Sequence, residues 1–284
     1  VYPEVFARHG GRESVDICAI GVAGEQRMAA AGVCFSDQDG RPSRYAGRGG
    51  LGAVLGAKKL KLLVVDDTRG GDVPIADAAT FDEGRRKMTS ALTEHDITKP
   101  KGALNSYGTA VLVNIINEAG ALPTHNFRTG RFDGAAKIAG EAIFEGNKER
   151  TGKTLYSHPC SPGCIIGCSN TWYAPDGREH TSCLEYESSW ALGANCGIDD
   201  LDQVAELNQL CNEYGLDTIE IGGTLAVAME GGVAAFGDGQ RAIALLHEIG
   251  RGTPLGRILG SGAETTGTPA LMISTNGRES RPTG

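Results

Sequence analysis

An α+β fold is predicted for this 284-residue chain: a β-rich end piece followed by a mainly α-helical domain. Three observations predict it. The first 70 residues hold short apolar runs separated by Gly- and Asp-rich turns, the pattern of brief strands. Gly70-Gly71-Asp72-Val73-Pro74 then breaks that pattern. Beyond it apolar residues recur at helical spacing, most clearly after Asp199-Asp200. The expected division is 1–70, the end of a β-rich domain, and 71–284, a helical domain.

Taken in order, Val1-Tyr2-Pro3 reads as extended, and strands are expected in Val15–Ile20, Ala30–Phe35 and Leu60–Val65. Asp39 to Ala46 reads as a polar turn containing a proline. Helices are expected over Ala78–Thr93 and Phe132–Phe144. The clearest helix follows Asp199-Asp200, whose carboxylates can accept from the first free N–H groups and favour the positive end of the dipole. Leu201, Val204, Leu207, Leu210, Cys211 and Tyr214 then fall on one face, and Gly215 is a natural stop. Thr218–Met229, Gln240–Ile249 and the short Leu255–Leu259 complete the helices, and Ser274–Gly284 trails off in polar turn residues. There is no initiator Met, charged n-region or apolar h-region, so no signal peptide is expected and both ends read as cut.

Apolar residues make up 40% of the chain, enough for a real core, and no run approaches membrane-spanning length. The net charge of −8 excludes a nucleic-acid partner, because such binding needs a basic footprint and only Lys58, Lys59 and Lys61 cluster. A cytoplasmic protein is expected. Eight cysteines, three of them within Cys160–Cys168, are too unevenly placed for a disulfide scaffold. They point to a metal site in a reducing compartment.

Gly47-Arg48-Gly49-Gly50-Leu51-Gly52 matches the dinucleotide pattern G-x-G-x-x-G, with Asp66 about twenty residues on. The context fails, since that fingerprint needs a buried parallel strand before the first Gly. What survives is its physical core. Glycines let backbone N–H groups approach an anion, a helix can open at Ala53, and Arg44 and Arg48 add planar donors suited to phosphate.

Here a family becomes recognisable. The segment Arg44-Tyr45-Ala46-Gly47-Arg48-Gly49-Gly50-Leu51-Gly52 through Lys61 resembles the pterin-holding segment of the aldehyde ferredoxin oxidoreductases. Ile20-Gly21-Val22-Ala23-Gly24-Glu25 is similar to that family's Ile-Gly-Pro-Ala-Gly-Glu element, and Leu122-Pro123-Thr124-His125-Asn126-Phe127 to its Leu-Pro-Thr-x-Asn-Phe element. The resemblance covers roughly residues 15–265 and implies an internal part of a longer enzyme. By it, Arg44, Arg48, Gly49, Gly50 and Gly52 bind a tungsten (or molybdenum) bis-pterin, with a magnesium ion bridging the pterin phosphates.

Cys160, Cys164 and Cys168 stand at C-x3-C-x3-C spacing, with Pro162 and Gly163 in a loop that can wrap an iron–sulfur cluster. Zinc sites more often pair cysteines two to four apart, with a second pair or histidines downstream. The family commonly has one residue fewer in the first gap and takes its fourth ligand from its C-terminal domain. Cys183, Cys196 and Cys211 are the candidates within this chain, Cys211 being the one on a helix flank that suits a core. Cys18 and Cys34 read as buried thiols.

Glu185-Tyr186-Glu187 resembles the family's Glu-Tyr-Glu stretch, whose second acid lies beside the metal. That makes Glu187 the catalytic candidate. Read as a strand, both acids would point one way and Tyr186 the other. Gly215-Leu216-Asp217-Thr218 is similar to the family's Gly-Leu-Asp-Thr, whose Asp binds a pterin, while Asn212 stands where many members carry an acid. The implied activity is oxidation of a small aldehyde to a carboxylate, with electrons passing through a [4Fe–4S] cluster to ferredoxin or another carrier, in a homodimer. A benzoyl-CoA reductase-type ring reductase and a non-catalytic iron–sulfur electron-transfer fragment are the alternatives.

Overall fold

The computed structural model describes residues 1–268. The front part runs α1 (Tyr2–Arg8), β1 (Asp16–Ala19), α2 (Val22–Glu25), β2 (Val33–Ser36), β3 (Pro42–Ala46), α3 (Leu51–Ala57) and β4 (Leu62–Val65). Its four strands form one sheet in the order β3-β2-β1-β4, and every neighbouring pair is antiparallel. Helices follow: α4 (Ala78–Glu94), α5 (Ala103–Tyr107), α6 (Leu112–Glu118) and α7 (Gly140–Thr151). A hairpin of β5 (Thr171–Tyr173) and β6 (Glu179–Ser182) leads to the single turn α8 (Tyr186–Ser188). The described residues end in α9 (Leu201–Tyr214), α10 (Thr218–Glu230), α11 (Gly239–Arg251), α12 (Pro254–Gly260) and α13 (Ala263–Thr266). The fold is α+β. No helix among the described residues is long and apolar enough to cross a membrane.

The strongly patterned helices form as expected. Asp200 caps α9 by accepting from the N–H groups of Asp202 and Gln203, and Gly215 ends it at φ 76°, a left-handed geometry that favours glycine. Leu201, Val204, Leu207, Leu210 and Cys211 are all buried in the main core with Leu225, Leu245 and Leu246.

Four expectations are corrected. Tyr2–Arg8 is a helix, not a strand: Pro3 fits an early helical position, and Tyr2 and Phe6, one turn apart, bury together with ring centroids 6.1 Å apart. Residues 42–46 are a strand rather than a turn, tolerated because Pro42 opens the edge strand of the sheet. The Phe132–Phe144 helix begins only at Gly140, since Phe132 and Ala135 anchor a 3-10 turn in the core first. Glu185 to Glu187 is not extended: Glu185 is the cap residue of a helical turn that widens into a π-helical turn at Ser189–Gly193. The expected tail at Ser274–Gly284 lies outside the described residues.

The two parts are joined by a short antiparallel bridge. The Gly32 N–H donates to the Gly215 carbonyl at 2.9 Å, and the Asp217 N–H to the Ala30 carbonyl at 2.9 Å, with Ala31 facing Leu216. Close approach requires glycine here: a Cβ on Gly21 would lie 2.2 Å from the Tyr214 carbonyl oxygen, and one on Gly52 2.3 Å from that of Gly32. Met28, Ala30 and Ala31 consequently belong to the same core as the helices.

The β2–β3 turn that aims Arg44 and the glycine loop is held by Asp37. Its carboxylate accepts from the Asp39 and Arg41 N–H groups, the Arg41 guanidinium at 2.7 Å and the Ser43 hydroxyl. Burial alone would raise this carboxyl, but the Arg41 donors and charge, with Ser43, hold it below the usual carboxylate range. A lowered acid pKa contributes stability that is present above the unfolded value of about 3.9 and lost as pH falls through the folded value. Asp37→Asn is expected to cost about 3 kcal/mol at pH 7. In urea titrations its deficit against the parent should shrink below pH 4.

Candidate cofactor and metal site

Gly47 to Gly52 leave the sheet edge at β3 and lead into α3. Gly49 and Gly50 have φ of 84° and 68°, and Gly50 is the residue at the head of α3. A Cβ on Gly49 would meet nothing within 4 Å, so the loop opens on space there. Gly52 is buried against the Gly32 carbonyl. Of the six residues expected to bind the cofactor, Arg48 and Gly49 are exposed, Arg44, Gly50 and Asp217 half-buried.

Asp217 faces this loop because the bridge to Ala30 fixes its backbone. Two clefts of about 410 Å3 each share Gly47 and Asp217; one adds Arg48, Cys183 and Asn212, the other Arg27, Gly49 and Gly50. Asp217 also accepts from the Ile219 N–H at the start of α10. Burial pushes its carboxyl above the usual range, against backbone donors and Arg48. Asn212 donates to the Ser182 carbonyl at 3.3 Å, and Tyr45 donates to the carbonyl of Asn212 itself. An ionised acid at 212 could not make the first bond. Glycine backbone, an arginine and a carboxylate around adjoining clefts suit a group with a phosphate and a hydrogen-bonding ring edge, and a pterin fits that description.

The thiols lie on the loop between α7 and β5. Cys160 is exposed, and Cys164 and Cys168 are partly buried. Ser161 to Cys164 closes as a turn, the Cys164 N–H donating to the Ser161 carbonyl with Pro162 and Gly163 (φ 76°) in the middle. Burial raises the Cys168 thiol, with Glu185 and the other two cysteines adding to it. No three His, Cys, Asp or Glu side chains among the described residues converge on a single-ion position. A zinc site, with every ligand within about 2.3 Å of one metal, is therefore not preformed. Three thiols on one wrap suit the wider iron–sulfur cluster by their donor chemistry. Cys196 and Cys211 are fully buried in the helical core, so Cys183 alone of the three further candidates borders the site.

Sequence reasoning missed Glu185. Its oxygens accept from Ser169 and Thr109, each at 2.6 Å, and Arg44 lies 3.6 Å away. Burial raises its carboxyl although all three lower it. Glu187, by contrast, is exposed on α8. The only signal in the sequence was that two acids flanked one tyrosine; which one is buried depends on the helical turn. The Leu122–Phe127 element buttresses that turn. His125, Asn126 and Phe127 are all left-handed (φ 49°, 57° and 61°), and their N–H groups donate to Ala194 and Asn195. This strained backbone sets Phe127 against Trp190, centroids 5.8 Å apart.

A family model described as aldehyde ferredoxin oxidoreductase, domains 2 and 3, matches residues 83–280, and one for the N-terminal domain of the same enzymes matches residues 3–67. The chain belongs to the aldehyde ferredoxin oxidoreductase family. Within that family it is 44% identical over 220 residues to the tungsten-containing aldehyde ferredoxin oxidoreductases of Pyrococcus abyssi and Thermococcus kodakarensis. These alignments cover 78% of this chain but 33% and 34% of those proteins, so it spans about a third of their length. An aliphatic sulfonate oxidoreductase WOR-like subunit of Pyrococcus furiosus is 26% identical, over 90% of this chain and 40% of its own. The active-site complex BamBC of benzoyl coenzyme A reductase shares the fold, with TM-score 0.66 and 22% identity over 93% of this chain and 41% of that one.

The cap at Asp217 separates structure from ligand binding. Asp217→Ala should lose about 1 kcal/mol in chemical denaturation, whereas Asp217→Asn, which still caps, should stay within a few tenths.

Proposed function

We propose that this chain carries the cofactor-binding part of a tungsten- (or molybdenum-) pterin oxidoreductase that oxidises aldehydes to carboxylates. The observation that carries the reading is the joint placement of the Arg48–Gly50 loop and Asp217 around shared clefts, in a chain 44% identical to enzymes of that name. Arg44, Arg48, Gly49, Gly50 and Gly52 would hold the pterins with Asp217, Arg44 from the wall between the Asp217 cleft and the cysteine loop. A magnesium ion bridging the pterin phosphates belongs to the same reading. Cys160, Cys164 and Cys168 would hold a [4Fe–4S] cluster, its fourth ligand coming from elsewhere. The boundary near residue 70 would separate the pterin loop from the cluster-bearing helical domain.

The reaction converts an aldehyde and water to a carboxylate, two electrons and three protons. When bound, the metal–pterin group would accept the electron pair, and the cluster would pass electrons singly to ferredoxin or a similar carrier. Glu187 would take one proton, its exposed carboxylate being free to reach substrate. The Phe127–Trp190 pair borders the same turn and would offer an apolar edge to a small substrate. A homodimer in the cytoplasm completes the proposal. The likeness to the benzoyl coenzyme A reductase complex is at half the identity, which favours aldehyde oxidation over ring reduction.

Metal analysis of anaerobically purified protein tests this. About four irons with matching acid-labile sulfide and one tungsten or molybdenum per chain are expected, from the composition of the proposed groups. Zinc alone would overturn the reading, and iron without the heavy metal would reduce it to an electron-transfer module. Glu187→Gln should keep the metals yet lower aldehyde-dependent viologen reduction by about 10²–10⁴-fold.

A further inference from the structure

Two cavities lie on either side of one side-chain contact. The first, about 460 Å3, is lined by Arg44, Cys160, Ser161 and Pro162 and opens on the cysteine loop. The second, about 410 Å3, is lined by Cys183, Arg48 and Asp217. Arg44 and Cys183 meet between them, Nη1 donating to Sγ at 3.3 Å. We propose that Arg44 and Cys183 form a positioning pair that holds a fixed positive charge against the cysteine loop and so sets the reduction potential of its cluster. This rests on the cluster reading above.

The geometry of the guanidinium carries the inference. Arg44 Nη2 donates to the Ser169 hydroxyl at 2.8 Å, one residue after Cys168, and contacts His158 Nε2 at 3.0 Å, two residues before Cys160. One rigid fork is thereby tied to both ends of the loop. Its Nε is buried without a partner, so the fork is held by its two terminal nitrogens. Cys183 supplies the remaining constraint, at a backbone cost. Its φ is 62°, a left-handed value that non-glycine residues seldom adopt. A thiol is a weak, uncharged acceptor, so it can orient the guanidinium without neutralising it. Glu185 pairs with the guanidinium at 3.6 Å, but its oxygens also accept from Ser169 and Thr109, so it offsets the Arg44 charge only in part. A cation held close to a partly buried loop favours the state that carries one more electron. Cys183 lines the Asp217 cavity, on the other side of Arg44 from the Cys160 cavity, and acts here as part of the wall between them.

The test is an EPR-monitored redox titration of anaerobically purified protein, with iron and sulfide counted in every sample. Arg44→Gln should lower the midpoint, by ~59 mV for a tenfold loss of preference for the reduced cluster. Arg44→Lys, which keeps the charge but not the fork, should fall between that variant and the parent. Cys183→Ala should shift the midpoint the same way with iron unchanged, and Cys183→Ser, which restores an acceptor, should return it. An unshifted midpoint in Cys183→Ala overturns the pair, as does a Cys183→Ser value no better than Ala. Loss of iron from Cys183→Ala would instead make Cys183 a ligand. Parent protein that holds no iron sinks the cluster reading itself, a result visible before any potential is measured.

Discussion

The candidate site exists because two backbones approach each other without side chains between them. Residues 30–32 and 215–217 pair as a short antiparallel bridge, and beside it Gly21 and Gly215 are the residues that permit the close approach. Adding a methyl group at Gly21 would drive it into the Tyr214 carbonyl, and at Gly215 (φ 76°) into Gly21. Once that bridge forms, Asp217 is placed by its own N–H bond to Ala30 and faces the glycine loop on the sheet side. Neither part holds the clefts alone. The arrangement puts a carboxylate, whose pKa burial raises, opposite an exposed arginine and open glycine backbone.

A second layer of polar order ties the cysteine loop to the same frame. Asp37 organises the β2–β3 turn and Arg41; the next residues along β3 carry Arg44 inward to Ser169, Cys183 and Glu185. His158 sits between the two arginines, accepting from both, and burial with their charge pushes it down to about 4. It is therefore a neutral acceptor at ordinary pH, which is what two guanidinium donors require. Removing one member of such a network leaves buried groups unpaired, so its parts act together.

Much of this was legible in the chain itself. The Asp200-capped helix, the Gly215 stop and the helices after Thr218 and Gln240 follow from capping chemistry and periodicity, which are local. The three cysteines, the glycine run and Asp217 were visible as chemistry-bearing residues for the same reason. Three of the four misreadings share one cause. Tyr2–Arg8, residues 42–46 and Glu185–Glu187 are short segments whose state is set by what they pack against: Phe6 under the sheet, β2 beside β3, and the π-helical turn below Glu187. Periodicity needs several turns to speak, and these segments have one.

The sequence by itself determined the α+β order of elements, the positions of the caps and stops, and which residues could bind metal or phosphate. Those properties depend on neighbours within a few positions of the chain. Only the tertiary structure decided that Glu185 is half-buried and Glu187 exposed, that Asp217 meets Gly47 across the bridge, and that Arg44 and Cys183 touch. Each of these joins residues far apart in sequence or turns on a single helical turn. Burial and contact at that range arise from closing the fold, not from local preference.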